Sequence, residues 1–472
     1  MKAFAGKKWY ALFKGELPQS NMAGGRQLAF LAVLAVIVVA SSTLAMAQAG
    51  SLDTTFGTGG IFTTSYTQYD TTINSAAAIQ SDGKIVLGGT IPSGNSQVAA
   101  LIRLNTDGTL DSSFGTGGVV PSDFGITDGA AVTAIVIQPN GQILAAAVGA
   151  LFIESSVGRF NPNGTLDTTF GTGGFAMSNS VDSGGGTLSF MALQADGKIL
   201  VTGGGLIGRY TSTGQPDTTF GESGVAPLIS TQTTAMALQA DGKIVVTTGV
   251  GAPPTLTTAQ FLPVQQAGSI ARYNTDGSLD TTFGVSGQAG CVASAAAVAI
   301  QGNGKIVVAG LIPSALLTTN SGGRVLINNQ TGFGVVRYNA NGSVDTTFNP
   351  GGGLGSGGGV ITGFGNSFPA SAAFAVAIQS NGEILVAGQA GIGNQNYGSS
   401  SFVLARYTTG GHLDTAFGSS GTVLTSLTQP ISLVNTLLLQ SDGKIVAAGN
   451  TGTPQNRGFY MNNFAVARYL AQ

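Results

Sequence analysis

Short apolar runs alternate with glycine-centred polar turns along this chain, and the first complete cycle sets the grammar for the rest. Ser75–Gln80 is a run of small and apolar residues, Ser81-Asp82-Gly83 reads as a turn, and Lys84–Gly89 is a second apolar run. An Asp-Gly between two such runs predicts a β-hairpin. After a connection of variable length, Val98–Asn105 predicts a third strand and Thr106-Asp107-Gly108 a second turn. Leu110-Asp-Ser-Ser-Phe-Gly115 then leads into a fourth strand beginning near Gly118, which makes four strands per cycle.

The cycle recurs. Leu-Asp-x-x-Phe starts at Leu52, Leu110, Leu166, Leu279 and Leu413, and again with Pro216 or Val344 in place of the leucine. The hairpin glutamine returns as Gln80, Gln138, Gln194, Gln239, Gln301, Gln379 and Gln440. The third strand carries an arginine each time: Arg103, Arg159, Arg209, Arg272, Arg337, Arg406 and Arg468. Three independent markers thus give seven units, at a period of about 60 residues that signals stacked supersecondary units. Before the first full unit stands an orphan Leu52-Asp-Thr-Thr-Phe-Gly57 with a lone strand near Gly60, while the last unit stops after its third strand at Ala467-Arg-Tyr-Leu470. The orphan supplies what the last unit lacks. The expectation is an all-β, seven-bladed β-propeller of four-stranded blades, closed by an N-terminal strand that completes the C-terminal blade and removes open edges.

The Gln-x-Asp-Gly-Lys-Ile-Val hairpin (Gln239–Val245), the Arg-Tyr-Asn-x-Asp-Gly strand and turn (Arg272–Gly277) and Leu-Asp-x-x-Phe-Gly resemble the delta-60 repeat family of bacterial surface and secreted proteins. The resemblance spans Ser51 to Gln472. It implies a β-propeller in a bacterial cell-envelope or secreted setting, and it implies no defined activity.

The composition fits this architecture: 74 glycines and only 8% charged residues describe a turn-rich β protein with ample core material. Residues 1–47 stand apart. Arg26 precedes an apolar run, Leu28 to Ala40, and Ala45-Met46-Ala47 is a small-x-small cleavage site, so the segment reads as a secretory signal peptide with residues 48–472 as the propeller. Met22 would start a signal of ordinary length; an uncleaved anchor over Leu28–Ala47 is the competing reading. Without the leader's five basic residues and Glu16, 14 Lys and Arg face 20 Asp and Glu, a net charge of −6. No basic stripe is left to neutralise phosphates, so nucleic acid is not an expected partner, nor is membrane insertion after cleavage. Cys291 is the single cysteine, so no intrachain disulfide can form. The expected product is a secreted, periplasmic or surface-exposed monomer.

Antiparallel order places the two Asp-Gly connections of every unit on one face and the two variable connections on the other. The variable connections include Ala252–Gln266, Ile312–Thr331 and Asn450–Asn462, with Gly351–Ala370 leading into the sixth unit. Long loops on a rigid scaffold are where recognition sits, and Phe261, Leu262, Leu316, Leu317, Arg324, Phe459 and Tyr460 are the candidate anchors for a protein or envelope polymer. Recurring pairs such as Arg103 with Asp111, Arg159 with Asp167 and Arg272 with Asp280 read as structural ion pairs, since chemistry needs a pair only once. Phe114, Phe170 and Phe283 read as wedges between blades, and the glutamines as ligands of turn backbones. Asn105-x-Asp107-Gly108-x-x-Asp111 alternates oxygen side chains around a glycine as calcium loops do, but its equivalents fade to Thr211-x-Thr213 and Thr408-x-Gly410. No other cofactor is expected. His412 is the only histidine, so neither a histidine-based triad nor a multi-histidine metal site can be built. Asp70, Asp123, Asp128, Glu154 and Asp182, outside the repeat pattern, carry the alternative of a propeller hydrolase or lyase; a purely structural envelope protein is the third possibility.

Overall fold

The computed structural model describes residues 48–64, 76–93, 96–127, 129–149, 154–177, 188–248, 268–291, 294–313, 331–351, 358–365, 368, 370–391, 399–455 and 458–471. Ala49–Gln472 forms one compact unit. Its strands make seven antiparallel sheets of four, arranged as the blades of a ring, with no helix among the described residues. Blade one is Ala76–Ile79, Ile85–Ser93, Ser96–Leu104 and Val119–Ser122, hydrogen-bonded in that order. The four strands expected in this blade are all present, with ends within a residue or two of the expectation except that the second continues to Ser93 rather than stopping at Gly89.

The first strand of each blade lies innermost. Those of blades one to seven are Ala76–Ile79, Ala130–Ile137, Phe190–Leu193, Thr233–Leu238, Ser294–Ile300, Ala370–Ile378 and Ile431–Leu439. Each packs on the next, and the first meets the last, which closes the circle. Small residues dominate here because the wedge-shaped blades converge. A β-bulge interrupts the register in five of the seven, between Val132 and Ala134 for example. At three of these bulges the facing strand must carry glycine: a Cβ on Gly310, Gly388 or Gly449 would stand 1.9–2.0 Å from a carbonyl oxygen of the bulged strand.

Closure follows the expected route. Ile61–Thr63 adds to the outer edge of Gly458–Tyr469 with Ile61 opposite Ala467, and that strand pairs with Ile445–Gln455 and so with Ile431–Leu439. Gly50 N donates to Leu470 O and Leu470 N to Ser51 O, so two segments far apart in sequence build the outer turn of blade seven. Gly50, with φ of 84°, takes the place that Gly108, with φ of 82°, holds in blade one.

The core lies between blades. Phe114 packs with Val86 and Leu101 of its own blade and with Ile135, Ile143 and Phe160 of blade two, and it is fully buried. Phe170 wedges blade two against blade three in the same way, and Phe56 blade seven against blade one. Phe220, Phe283, Phe348 and Phe417, at the same position of their blades, are fully buried too. Burying a phenylalanine side chain contributes about 2–3 kcal/mol.

Candidate functional site: the inter-blade clamp and the variable face

Each blade concentrates its charged residues at one point on the face of the Asp-Gly turns. In blade four, Arg272 Nε donates to Asp280 Oδ2 at 2.7 Å, and Lys243 Nζ donates to the same oxygen at 2.7 Å. The other oxygen, Oδ1, accepts from Thr282 N at 3.1 Å and Thr282 Oγ1 at 2.6 Å. The Asp280 side chain is 4% exposed, and its carboxylate has no lone pair left for a ligand. The arginine is placed by the register of the third strand, the aspartate by the tight turn of Leu-Asp-x-x-Phe, and the lysine by the first hairpin. That hairpin is a three-residue loop with glycine alone in the left-handed region: Gln239 N donates to Lys243 O, and Gly242 has φ of 81°.

The guanidinium has two further contacts. Its carbon sits 4.7 Å from the Phe283 ring centroid, and the seven equivalents span 4.4–4.7 Å. Its Nη1 leaves the blade and donates to Ala340 O of blade five at 2.5 Å. The same link runs from Arg159 to Ser212, Arg209 to Thr275, Arg337 to Thr409 and Arg406 to Ala471 at 2.5–2.7 Å, and from Arg103 to Pro162 and Arg468 to Thr106. Beside it a backbone amide crosses too, as Gly284 N to Asn341 O at 2.8 Å. Seven arginines thus join seven blades head to tail, blade seven to blade one included. Within the blade, the Arg–Asp pair ties the third strand to the connector that follows it. The link between blades carries no signal in sequence, because the acceptors are backbone carbonyls.

Electrostatics follow from this geometry. Burial alone would raise the Asp53 carboxyl, but the Thr55 hydrogen bonds, the Arg468 charge and Lys444 outweigh it and hold the pKa at about 2. Asp111, Asp217, Asp280 and Asp345 are displaced further below the ordinary range by the same opposition of burial against hydroxyl, lysine and arginine partners. Two of the hairpin glutamines bridge blades: Gln80 Nε2 donates to Gly141 O and Gln440 Nε2 to Gly83 O, each 3.5 Å away in the next blade's hairpin.

The calcium-like turn is closed on itself. Asp107 Oδ1 accepts from Thr109 N and Oγ1, Asn105 Nδ2 donates to Thr109 Oγ1, and Asp111 is held by Arg103, Lys84 and Ser113. Among the described residues no cluster of three or more His, Cys, Asp or Glu has metal-binding geometry.

On the opposite face, the height of the blades differs. The second hairpin of blade three turns at once, with Gly203 opposite Leu206, whereas in blade seven the pairing continues to Gln455 opposite Gly458. The segment Asn450–Asn462, expected as a loop, is therefore a long β-hairpin, and Phe459 and Tyr460 lie in its second strand, opposite Pro454 and Thr453. Continued backbone pairing accounts for the difference. Phe261, Leu262, Leu316, Leu317 and Arg324 lie outside the described residues, as do Asp70, Asp128 and Asp182. Asp123 Oδ1 caps Gly125 N within its own loop, whereas Glu154 Oε2 accepts from Thr127 N and Oγ1 and ties the second connection of blade two to the one that enters it.

The sequence profile of a β-propeller domain of unknown function (DUF5122) matches residues 80–114, 138–170, 194–220, 264–283, 322–348 and 379–417, one segment in each of the first six blades. The chain is a repeat β-propeller. No curated protein matches this propeller's sequence. Among solved structures it is similar to the extracellular domain of a putative hybrid two-component system from B. thetaiotaomicron, at 8% identity and a TM-score of 0.43 over 87% of this chain and 41% of that one. The propeller thus spans less than half of that protein. It is also similar to the polysaccharide lyase Uly1, at 10% identity and a TM-score of 0.43 over 86% and 92% of the two chains. Sqt1 from Chaetomium thermophilum matches at 13% identity and a TM-score of 0.40 over 85% and 96%. No helix among the described residues is long and apolar enough to cross a membrane.

Proposed function

We propose that this propeller is an exported binding or surface-scaffold module of the delta-60 repeat type, and that it engages a protein or envelope polymer through its variable face. The observation that carries this reading is the division of labour between faces. The recurring arginines, aspartates and lysines are joined to one another and to the neighbouring blade, as at Asp280, while the second hairpins of the blades rise to different heights on the other side. A rigid disc with one uneven rim suits recognition by protruding loops better than chemistry at a fixed centre. Export is supported by the leader's apolar run and its Ala45-Met46-Ala47 site.

The test replaces residues 249–267 and 314–330 by the two-glycine turn of blade three and compares both proteins in affinity capture from native envelope and culture fluid. A partner held by the parent and lost by the variant, with melting unchanged, is the expected result. Equal capture by both proteins would overturn the assignment to these loops.

A further inference from the structure

Six of the seven clamps keep a cation or a neutral donor where the hairpin lysine stands; blade six does not. Lys84, Lys198, Lys243, Lys305 and Lys444 each reach the clamp aspartate at 2.7–3.3 Å, and Gln142 Nε2 replaces the lysine in blade two at 2.8 Å. In blade six the position is Glu383, whose Oε2 lies 3.3 Å from Arg406 Nε, while Asp414 Oδ2 accepts from the same Nε at 2.7 Å and lies 2.6 Å from Nη2. One guanidinium there serves two carboxylates. The local charge is −1, against +1 where Arg, Lys and Asp meet.

Two further losses fall on the same blade. The hydroxyl that caps the aspartate in the other six, Thr282 Oγ1 for instance, is missing because the residue is Ala416, and only its backbone N reaches Asp414 Oδ1. The Asp414 side chain is 15% exposed, against 4% for Asp280. Finally, what blade six grips is the one turn built from two separate segments: Arg406 Nη1 donates to Ala471 O, while Gly418 N donates to Ala49 O. In every other seam the arginine and the amide bind adjacent residues of one continuous turn, such as Ala340 and Asn341.

We infer that the seam between blades six and seven is the built-in opening point of the disc. Like charges beside Arg406 weaken the clamp, and a turn of two segments can part without bending any backbone. The apolar contacts beneath it, Phe417 with Leu437 and Tyr469, keep the seam shut in the resting state, so the opening is transient and local. A disc that yields at one seam leaves the other six interfaces intact.

Amide hydrogen exchange of the intact folded protein tests this, because one amide crosses each seam at an equivalent position: Gly57, Gly115, Gly171, Gly221, Gly284, Asn349 and Gly418. Gly418 is expected to exchange on the order of tenfold faster than the other six under conditions far from global unfolding. Exchange at Gly418 no faster than at Gly284 overturns the inference. So does joint fast exchange at Gly418 and Gly57, which would report peeling of residues 49–64 rather than opening of one seam. The double variant Glu383→Lys, Ala416→Thr rebuilds the full clamp and should slow Gly418 to the rate of its equivalents without altering them. An unchanged Gly418 in a folded double variant also overturns the inference.

Discussion

Asp280 is a charge the fold cannot keep without its partners. Removing a buried carboxylate from water costs several kcal/mol, which only close, hydrogen-bonded cations recover. Arg272, Lys243 and Thr282 supply that recovery, and Arg272 passes the order on to blade five. A different residue-scale feature is less well satisfied. Ser223, Ser286 and Ser420 hold φ of 51–55°, in the left-handed region, where blades seven, one and two carry Gly59, Gly117 and Gly173. A Cβ at those glycines meets nothing within 4 Å, so the strain in the serines is one of backbone alone. Ser223→Gly, Ser286→Gly and Ser420→Gly should therefore each stabilise the protein by about 0.5–1 kcal/mol, read as a raised denaturant midpoint. Unchanged or lowered midpoints would show that the serine side chains make compensating contacts.

At the scale of elements, residues 49–64 do more than fill an edge. Their Asp53 completes the clamp with Arg468, and their Phe56 lies between Val446 and Val466 on one side and Ile85 and Leu104 on the other. Phe56→Ala should cost about 3–5 kcal/mol, as much as Phe283→Ala in the middle of the chain, because both leave a cavity in a fully packed seam. A much smaller loss at Phe56, measured by calorimetry, would mean that the closing segment is only loosely docked. The four-strand grammar, the count of seven and this closure were legible because each rests on side chains or glycines that the local backbone demands. The cross-blade half of the clamp was not, since Pro162, Ser212, Thr275, Ala340, Thr409, Ala471 and Thr106 contribute only their carbonyls and have no residue type in common. The hairpin over Asn450–Asn462 was also hidden, because asparagine and glycine break its pattern while the ladder continues through them. Of the seven candidate anchors, only Phe459 and Tyr460 fall on described backbone, so the fold was far more readable than the site.

For the whole molecule, the ring of clamps makes stability a function of pH, and the sign follows from the direction of the shifts. Asp53, Asp111, Asp217, Asp280 and Asp345 all have carboxyls lowered in the folded state, so the folded protein binds fewer protons than the unfolded chain as pH falls. Their contribution is complete above the ordinary aspartate range and drains away below it. For Asp53, a displacement from 3.8 to about 2 corresponds to roughly 2 kcal/mol, lost between about pH 4.5 and 2. The other four continue the loss to still lower pH. The melting temperature should accordingly be flat from about pH 5 to 7 and fall steeply below about pH 4, with several clamps failing over the same interval because each shares its arginine with the next blade. Replacing one clamp, Asp280→Asn with Arg272→Met, should lower the plateau while making the acid limb shallower, because one fewer carboxylate is left to protonate. A limb whose slope is unaffected by that replacement would place the acid sensitivity outside the clamps.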